Sequence, residues 1–77
     1  MNKERRKCLE DVVINLVALK ADLECIQCEE QESFDNMPES LQVSERGEAV
    51  EENANDLDSC SSDLQDVIDD LREILDR

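Results

Sequence analysis

The apolar residues between Leu9 and Cys28 constrain the fold of this chain more than any other feature. One row of them recurs at alternating steps of three and four, which places it along one side of an α-helix: Leu9, Val12, Leu16, Leu19, Leu23 and Ile26. A second row, with Val13 and Val17 between the two, follows roughly the opposite side: Ile14, Ala18, Ala21, Cys25 and Cys28. A helix that is apolar nearly all round needs several neighbours to bury it. The pattern therefore predicts self-association around this helix.

A second amphipathic segment follows near the C-terminus. It repeats the alternation at Leu57, Cys60, Leu64, Val67, Leu71 and Ile74, with Ile68 and Leu75 beside the row. The chain has one Phe and no Trp or Tyr, and the alternating pattern of a strand is missing. We predict an all-α fold, a single coiled-coil-like antiparallel hairpin domain over residues 1–77. Its helices should span about residues 3–33 and 44–75, joined by a corner at 34–43 with one helical turn starting at Pro38.

The ends of these helices carry recognisable capping residues. Asn2 and Ser44 fit N-caps, and Asn36 tolerates the left-handed conformation of a C-cap before Met37 and Pro38. Because 77 residues bury little core, we expect the hairpin to form a four-helix bundle or a larger helical oligomer, with a dimer as the first expectation. The predicted oligomer core is Leu9, Val12, Ile14, Leu16, Ala18, Leu19, Ala21, Leu23, Ile26, Leu57, Leu64, Val67, Leu71 and Ile74.

Charge limits the classes of partner. The chain has 22 acidic and 8 basic residues, a formal charge of −14. Such a surface repels phosphate backbones and anionic lipid, so we expect no direct nucleic-acid or membrane binding. An antiparallel hairpin should place the basic residues Arg5, Arg6 and Lys7 beside the acidic C-terminal turns, namely Asp69, Asp70, Glu73 and Asp76. Asp11 and Asn15 interrupt the only segment that resembles a secretory leader, so an intracellular location is expected.

Cys25 and Cys28 have the spacing of zinc-binding and redox pairs. The chain has four Cys and no His, and Cys8 would lie about 25 Å from Cys25 along one helix. Cys60 is expected near Leu16, so a complete metal site would have to form between subunits. The favoured interpretation is that the cysteines pack as small apolar side chains, with an interchain metal site or disulfide as the alternative. No metal and no cofactor is predicted.

The start of the second helix is a candidate anion or partner site. Free backbone N–H groups and Arg46 could hold an anion near Ser44, and Gly47 could let it approach the backbone. The alternative is that Gly47 relieves crowding at the corner and Arg46 pairs with a neighbouring Glu. Phe34 and Met37 of the corner belong to the same candidate surface. The acidic clusters are interpreted as a solvated face, because residues 53–63 lack the Gly of a calcium loop.

Residues 29–42, EEQESFDNMPESLQ, are followed by the sequence SERGE at residues 44–48. This segment resembles the central part of small uncharacterised acidic helical proteins of phages and prophages of Gram-positive bacteria, and the resemblance is most specific over residues 29–52. This chain differs from them in its four Cys and in the Asn and Ser residues of its second helix. The resemblance implies a phage or prophage origin and the cytoplasm of an infected or lysogenic bacterial host. It implies no mechanism.

No nucleophile and base pair and no cofactor motif is recognisable, so we expect a protein that is not an enzyme. The leading hypothesis is an interaction protein that acts as a helical oligomer and binds a host or phage protein. One alternative is an acidic DNA mimic that inhibits a nucleic-acid-binding enzyme through carboxylates such as Asp63, Asp66 and Asp70. Another is a small-anion or nucleotide binder at Ser44 and Arg46.

Overall fold

The computed structural model describes all 77 residues, and three helices account for most of them. Helix α1 spans Lys3–Asp35, the short helix α2 spans Glu39–Gln42, and α3 spans Glu45–Leu75. The all-α helical hairpin predicted from the sequence is confirmed. None of the three helices combines the length and the hydrophobicity that crossing a bilayer demands.

The two long helices begin at the capping residues that the sequence predicts. The Asn2 side chain accepts a hydrogen bond from the Arg5 backbone N–H at 2.8 Å. The Ser44 hydroxyl accepts one from the Gly47 N–H at 3.3 Å. Each bond satisfies a backbone donor that has no partner within the helix, which is why Asn and Ser favour this position.

The end of α1 differs from the prediction. The helix continues two residues beyond position 33 to Asp35, and Asn36 caps it with φ −83° and ψ −5° rather than in the left-handed region. No residue in the chain has a positive φ. A tight turn closes the helix instead, because the Met37 N–H donates to the Phe34 carbonyl at 3.0 Å. Pro38 follows and cannot donate the next helical bond.

The corner is one turn of helix held against the end of α1. The backbone N–H groups of Leu41 and Gln42 both donate to the Pro38 carbonyl, at 2.9 and 3.0 Å. The Gln42 side-chain amide also donates to the Phe34 carbonyl at 3.1 Å. These bonds reverse the chain direction and set the start of α3 beside the end of α1.

Helices α1 and α3 lie antiparallel and form a rod whose Cα atoms span 58 × 15 × 13 Å. The radius of gyration is 17.4 Å, whereas a compact chain of this length would have about 11 to 12 Å. Two contacts define the register of the pair. The Arg6 guanidinium donates to the Leu75 carbonyl, and the Asn53 side-chain amide donates to the Glu30 carboxylate at 3.2 Å. The middle of α1 therefore lies level with residues 62–64 of α3.

The two helices meet along a seam of alternating three- and four-residue steps. Five residues of the whole chain are buried: Val13, Gly47, Ala54, Ser61 and Ile68. In α1 the buried or partly buried positions that follow these steps are Arg6, Leu9, Val13, Leu16, Lys20, Leu23, Gln27, Glu30 and Phe34. In α3 they are Gly47, Val50, Ala54, Leu57, Ser61, Leu64, Ile68, Leu71 and Leu75. Both rows follow a heptad repeat, as in a coiled coil.

The seam corrects the phase of the row predicted for α1. Leu9, Leu16 and Leu23 belong to the seam, but Val12, Leu19 and Ile26 face away from it. Either choice fits the three-and-four alternation, because the two rows share every second member. The row through Val13 ends on Phe34, which the corner holds in place, whereas the row through Val12 would end on Ser33. In α3 the same correction moves Cys60 and Val67 out of the seam and Ser61 and Ile68 into it.

Candidate interaction surfaces

One side of the hairpin carries a polar groove of about 420 Å³ between the two helices. It is lined by Lys20, Glu24, Gln27, Cys28, Asp58, Ser61, Ser62 and Gln65. The seam beneath it is polar too, since Lys20, Gln27 and Ser61 occupy seam positions in the middle of the rod. The groove therefore marks a polar break between two more apolar lengths of seam.

Ser61 is the least satisfied polar group of the molecule. The residue is 6% exposed, and its hydroxyl has no hydrogen-bond partner. Lys20, which lies nearby in the groove, is instead paired with Glu24, four residues further along α1. A buried hydroxyl without a partner costs roughly 1 to 3 kcal/mol, so the polar break weakens the hairpin.

The opposite side of the hairpin carries an apolar stripe, made of Val12, Leu19 and Ile26 on α1 and of Cys60, Val67 and Ile74 on α3. Members of each set are seven residues apart and so lie on one side of their helix. The groove residues lie on one flank of the seam. The stripe residues of both helices lie on the other flank. Four stripe residues are roughly half exposed: Val12 at 45%, Leu19 at 58%, Ile26 at 53% and Val67 at 47%.

A second apolar area lies on α1 alone and is separate from the stripe. It contains Ile14, which is 65% exposed, and Val17, which is 42% exposed, together with the exposed Ala18 and Ala21. We call it the outer patch. The prediction that α1 is apolar nearly all round therefore describes its surface correctly, and one partner helix leaves both areas uncovered.

The predicted oligomer core divides between the seam and these surfaces. In α3, Leu57, Leu64 and Leu71 lie in the seam and are partly buried. Val67 lies on the stripe, and Ile74 lies at its edge and is partly buried. Sequence reasoning placed Val13 between the rows and gave no seam role to Lys20, Gln27 or Ser61. Extending the heptad back from Phe34 would have identified the three positions on α1, namely Gln27, Lys20 and Val13.

The start of α3 is shaped by packing rather than by open space. The Ser44 hydroxyl donates to the Leu41 carbonyl as well as accepting from Gly47, so both of its functions are used within the chain. Gly47 is buried, and a methyl group there would lie 2.5 Å from the Gln42 carbonyl oxygen. The steric interpretation of Gly47 therefore fits the structure better than approach of a ligand. Arg46 is exposed and forms no ion pair with a neighbouring Glu.

The corner presents a mixed surface. Phe34 and Met37 are partly buried, whereas Leu41 is 44% exposed and Val43 is 78% exposed. Exposed carboxylates surround these side chains, among them Asp35, Glu39 and Glu45. The corner thus packs over the end of the two long helices through Phe34 and Met37, and it exposes Leu41 and Val43 to solvent at its tip.

The prediction that the cysteines are packed is wrong for the single chain, because all four are free and exposed. Cys25 lies near a Glu29 carboxylate oxygen, with 4.0 Å between sulfur and oxygen. Cys60 lies level with residues 21–23 of α1 rather than with Leu16, because the observed register differs from the predicted one. No three potential metal ligands come together in the chain. Cys25 and Cys28 therefore have no third ligand within one subunit.

Most charges of the molecule have no oppositely charged partner. The Lys20 and Glu24 side chains form the single ion pair. The basic N-terminus lies beside the acidic end of α3, as predicted, but no ion pair forms between them. Arg6 contacts the Leu75 carbonyl instead. A cation at this position is favourable because the carbonyl groups at the end of a helix carry negative partial charge.

No protein-family model, curated protein or solved structure matches this chain. The likeness of residues 29–52 to phage and prophage proteins therefore stays an expectation, and the function must be argued from the surfaces described above.

Proposed function

We propose that this chain is a non-enzymatic interaction protein that acts as a helical oligomer and binds a host or phage protein. One observation supports the oligomer above all. Three apolar residues are buried in the single chain, whereas nine large apolar side chains are exposed. Monomeric proteins rarely leave wide contiguous apolar areas in water, and the stripe and the outer patch are both of this kind.

Sedimentation or light scattering of the purified chain between about 1 and 100 µM, a range typical of dissociation constants, tests the oligomer. We expect a mass of at least twice 8.8 kDa. Leu19→Glu should reduce the mass to that of one chain. Pairing through the stripe would bury the new carboxylate with no opposite charge beside it, which is costly. Ile14→Glu is the matched control on the outer patch, and it should leave a dimer intact. A single chain at every concentration would contradict the proposal.

The corner is the surface that we assign to the foreign partner. Leu41 and Val43 are exposed at its tip, and carboxylates surround them, which fits a protein surface with an apolar pocket and a basic rim. The resemblance of this segment to phage and prophage proteins favours a partner from the bacterial host or the phage.

Affinity capture from infected cells tests this assignment when wild type and a variant are compared. The double variant Leu41→Ser/Val43→Ser should lose a partner that wild type retains, while its mass in solution stays that of the wild-type oligomer. Ser40→Ala, at an exposed position of the same turn, is the control. Equal capture by all three proteins would remove the corner from the proposal.

A second candidate function, DNA mimicry, is favoured by the outer surface of α3. Its carboxylates between Glu51 and Glu73 are exposed, and none of them takes part in an ion pair. Such a surface can occupy the basic groove of a DNA-binding enzyme. Competition with DNA should then weaken with added salt and disappear in Asp63→Lys/Asp66→Lys/Asp70→Lys. Reversal of Glu29 and Glu32 on α1 is the control, and equal loss in both variants would indicate a nonspecific charge effect.

A further inference from the structure

We propose that two copies of this chain pair through the apolar stripe with their corners at opposite ends, so that Leu19 of one copy meets Leu19 of the other. This inference rests on the proposed oligomer and adds the surface, the symmetry and the direction of pairing. Its occupant is a second copy rather than a foreign helix, and three properties of the molecule support that choice.

The first property is the symmetry of the stripe. Val12 and Ile26 lie seven residues on either side of Leu19, which is the midpoint of α1. On α3 the midpoint between Cys60 and Val67 falls between residues 63 and 64. The two cross-helix contacts place this point level with Leu19. A two-fold axis at this level, perpendicular to the rod, sets Val12 against Ile26 and Cys60 against Val67 of the second copy. Such a self-complementary patch is what an isologous dimer requires.

The second property is charge. At the end that holds both termini, residues 1–11 and 67–77 contain seven acidic and six basic residues, a formal charge of −1. At the corner end, residues 29–52 contain nine acidic residues and one basic residue, a formal charge of −8. Pairing with the corners together would bring two strongly negative ends side by side. Pairing with the corners apart separates them by most of the 58 Å rod, several times the Debye length of about 8 to 10 Å.

The same arrangement also sets unlike ends side by side. With the axis at Leu19, Arg5 of one copy lies level with Ser33 of the other, and both positions continue the row of Val12, Leu19 and Ile26. The strongly negative corner end of each copy therefore lies beside the nearly neutral end of the other, which favours this direction of pairing.

The third property is the amount of exposed surface. The single chain exposes 5769 Å², whereas a compact monomer of this mass exposes about 4,800 Å². The excess is close to 1,000 Å² by the same relation, slightly more than the roughly 800 Å² that each partner contributes to a standard interface. A second hairpin laid along the stripe covers an area of this size and completes a four-helix bundle.

Disulfide trapping between full-length chains tests the direction of pairing. Cys8, Cys25 and Cys28 are first replaced by Ser and Cys60 by Ala, all of them exposed positions. Leu19→Cys in this background should give a covalent dimer on mild oxidation, because its two copies meet at the axis. Val12→Cys and Ile26→Cys should each stay single when alone and should link to one another when mixed. Ile14→Cys on the outer patch is the control and should not link. Circular dichroism confirms that each variant is helical.

The alternative outcomes separate this inference from the proposed function. Linking of Val12→Cys to Val67→Cys, with Leu19→Cys unlinked, would show that the corners lie at the same end and overturn the inference alone. A dimer by mass with linking only at Ile14→Cys would move the interface to the outer patch and also overturn it. A single chain by mass and no linking at any position would overturn the oligomer itself.

Discussion

At the scale of single residues, Gly47 explains how α3 can begin directly against the corner. Its φ is not positive, so the backbone conformation does not demand glycine. The lack of space demands glycine, because a methyl group would overlap the carbonyl oxygens of Leu41 and Gln42. Backbone atoms cannot move aside as a flexible side chain would, and the whole turn would have to shift.

Gly47→Ala should therefore lower the free energy of unfolding by about 2 to 3 kcal/mol, the upper range for overpacking a buried site, as measured by urea titration. At an open helical position the same change raises stability by about 1 kcal/mol. The sign of the change in the free energy of unfolding therefore decides between crowding and open space at this position. Glu48→Ala, at the exposed neighbouring position, is the control and should change stability by less than about 0.5 kcal/mol.

Ser61 should respond in the opposite direction. Its buried hydroxyl has no partner, so Ser61→Ala removes a desolvation cost and should raise the free energy of unfolding by about 1 to 2 kcal/mol. Ser62→Ala is the matched control, because both changes gain the same helix propensity and Ser62 is exposed. If the two variants gain equally, water from the groove satisfies the Ser61 hydroxyl, and the prediction is wrong.

At the scale of helices, Arg6 links the start of α1 to the end of α3. Its guanidinium donates to the Leu75 carbonyl, where the partial negative charge of the helix end is concentrated. The same residue is one of the few basic groups of an acidic chain. Its contribution combines a hydrogen bond with favourable charge at a helix end.

Arg6→Met retains most of the side-chain volume and removes the donor. We expect the free energy of unfolding to fall by about 0.5 to 1 kcal/mol, the usual size of a charge effect at a helix end, with a smaller loss in high salt. Arg5→Met is the control, since the Arg5 side chain is exposed and forms no hydrogen bond. Equal losses for both would indicate a general effect of net charge.

The helices also show what the sequence could and could not predict. The number, order and direction of the long helices follow from apolar periodicity, and both N-caps follow from side-chain chemistry. The phase of the seam did not follow, because two rows in α1 fit the same alternation and the more apolar row was the wrong one. Lys20, Gln27 and Ser61 reduce the apolar content of the true seam. Only the position of Phe34, set by the corner, distinguishes the two rows.

The candidate surfaces were predictable to a similar extent. The surplus of apolar surface on α1 is visible in the sequence, and the structure exposes it as the stripe and the outer patch. The exposure of all four cysteines was not foreseen, because a cysteine in an apolar row is ordinarily interpreted as packed. Their exposure follows from the phase and from the absence of any second neighbour helix within the chain.

At the scale of the whole molecule, charge opposes the folded state. The chain carries a formal charge of −14 and has one ion pair, so repulsion between carboxylates is weakly compensated. The repulsion is greatest around the corner, where α1, α2 and α3 all contribute acidic residues. Screening by salt should relieve it.

The melting temperature should therefore rise when NaCl is increased from about 10 to about 200 mM, over which the Debye length falls from roughly 30 Å to below 10 Å. Circular dichroism at fixed protein concentration measures the change. The variant Glu29→Gln/Glu32→Gln/Glu52→Gln, with less charge near the corner, should melt higher in low salt and respond less to NaCl. A melting temperature that falls with salt would show that attractive charge contacts dominate.

The polar break at Lys20, Gln27 and Ser61 has a mechanical consequence for the rod. Apolar contacts hold the two lengths of seam on either side of it, whereas within it the three polar residues alternate with Leu23, Leu57 and Leu64 and reduce the apolar contact. The two helices are therefore held together least tightly at this level of the rod. A bending or prying force will part the two strands of the rod there first, while the corner and the terminal turns stay closed.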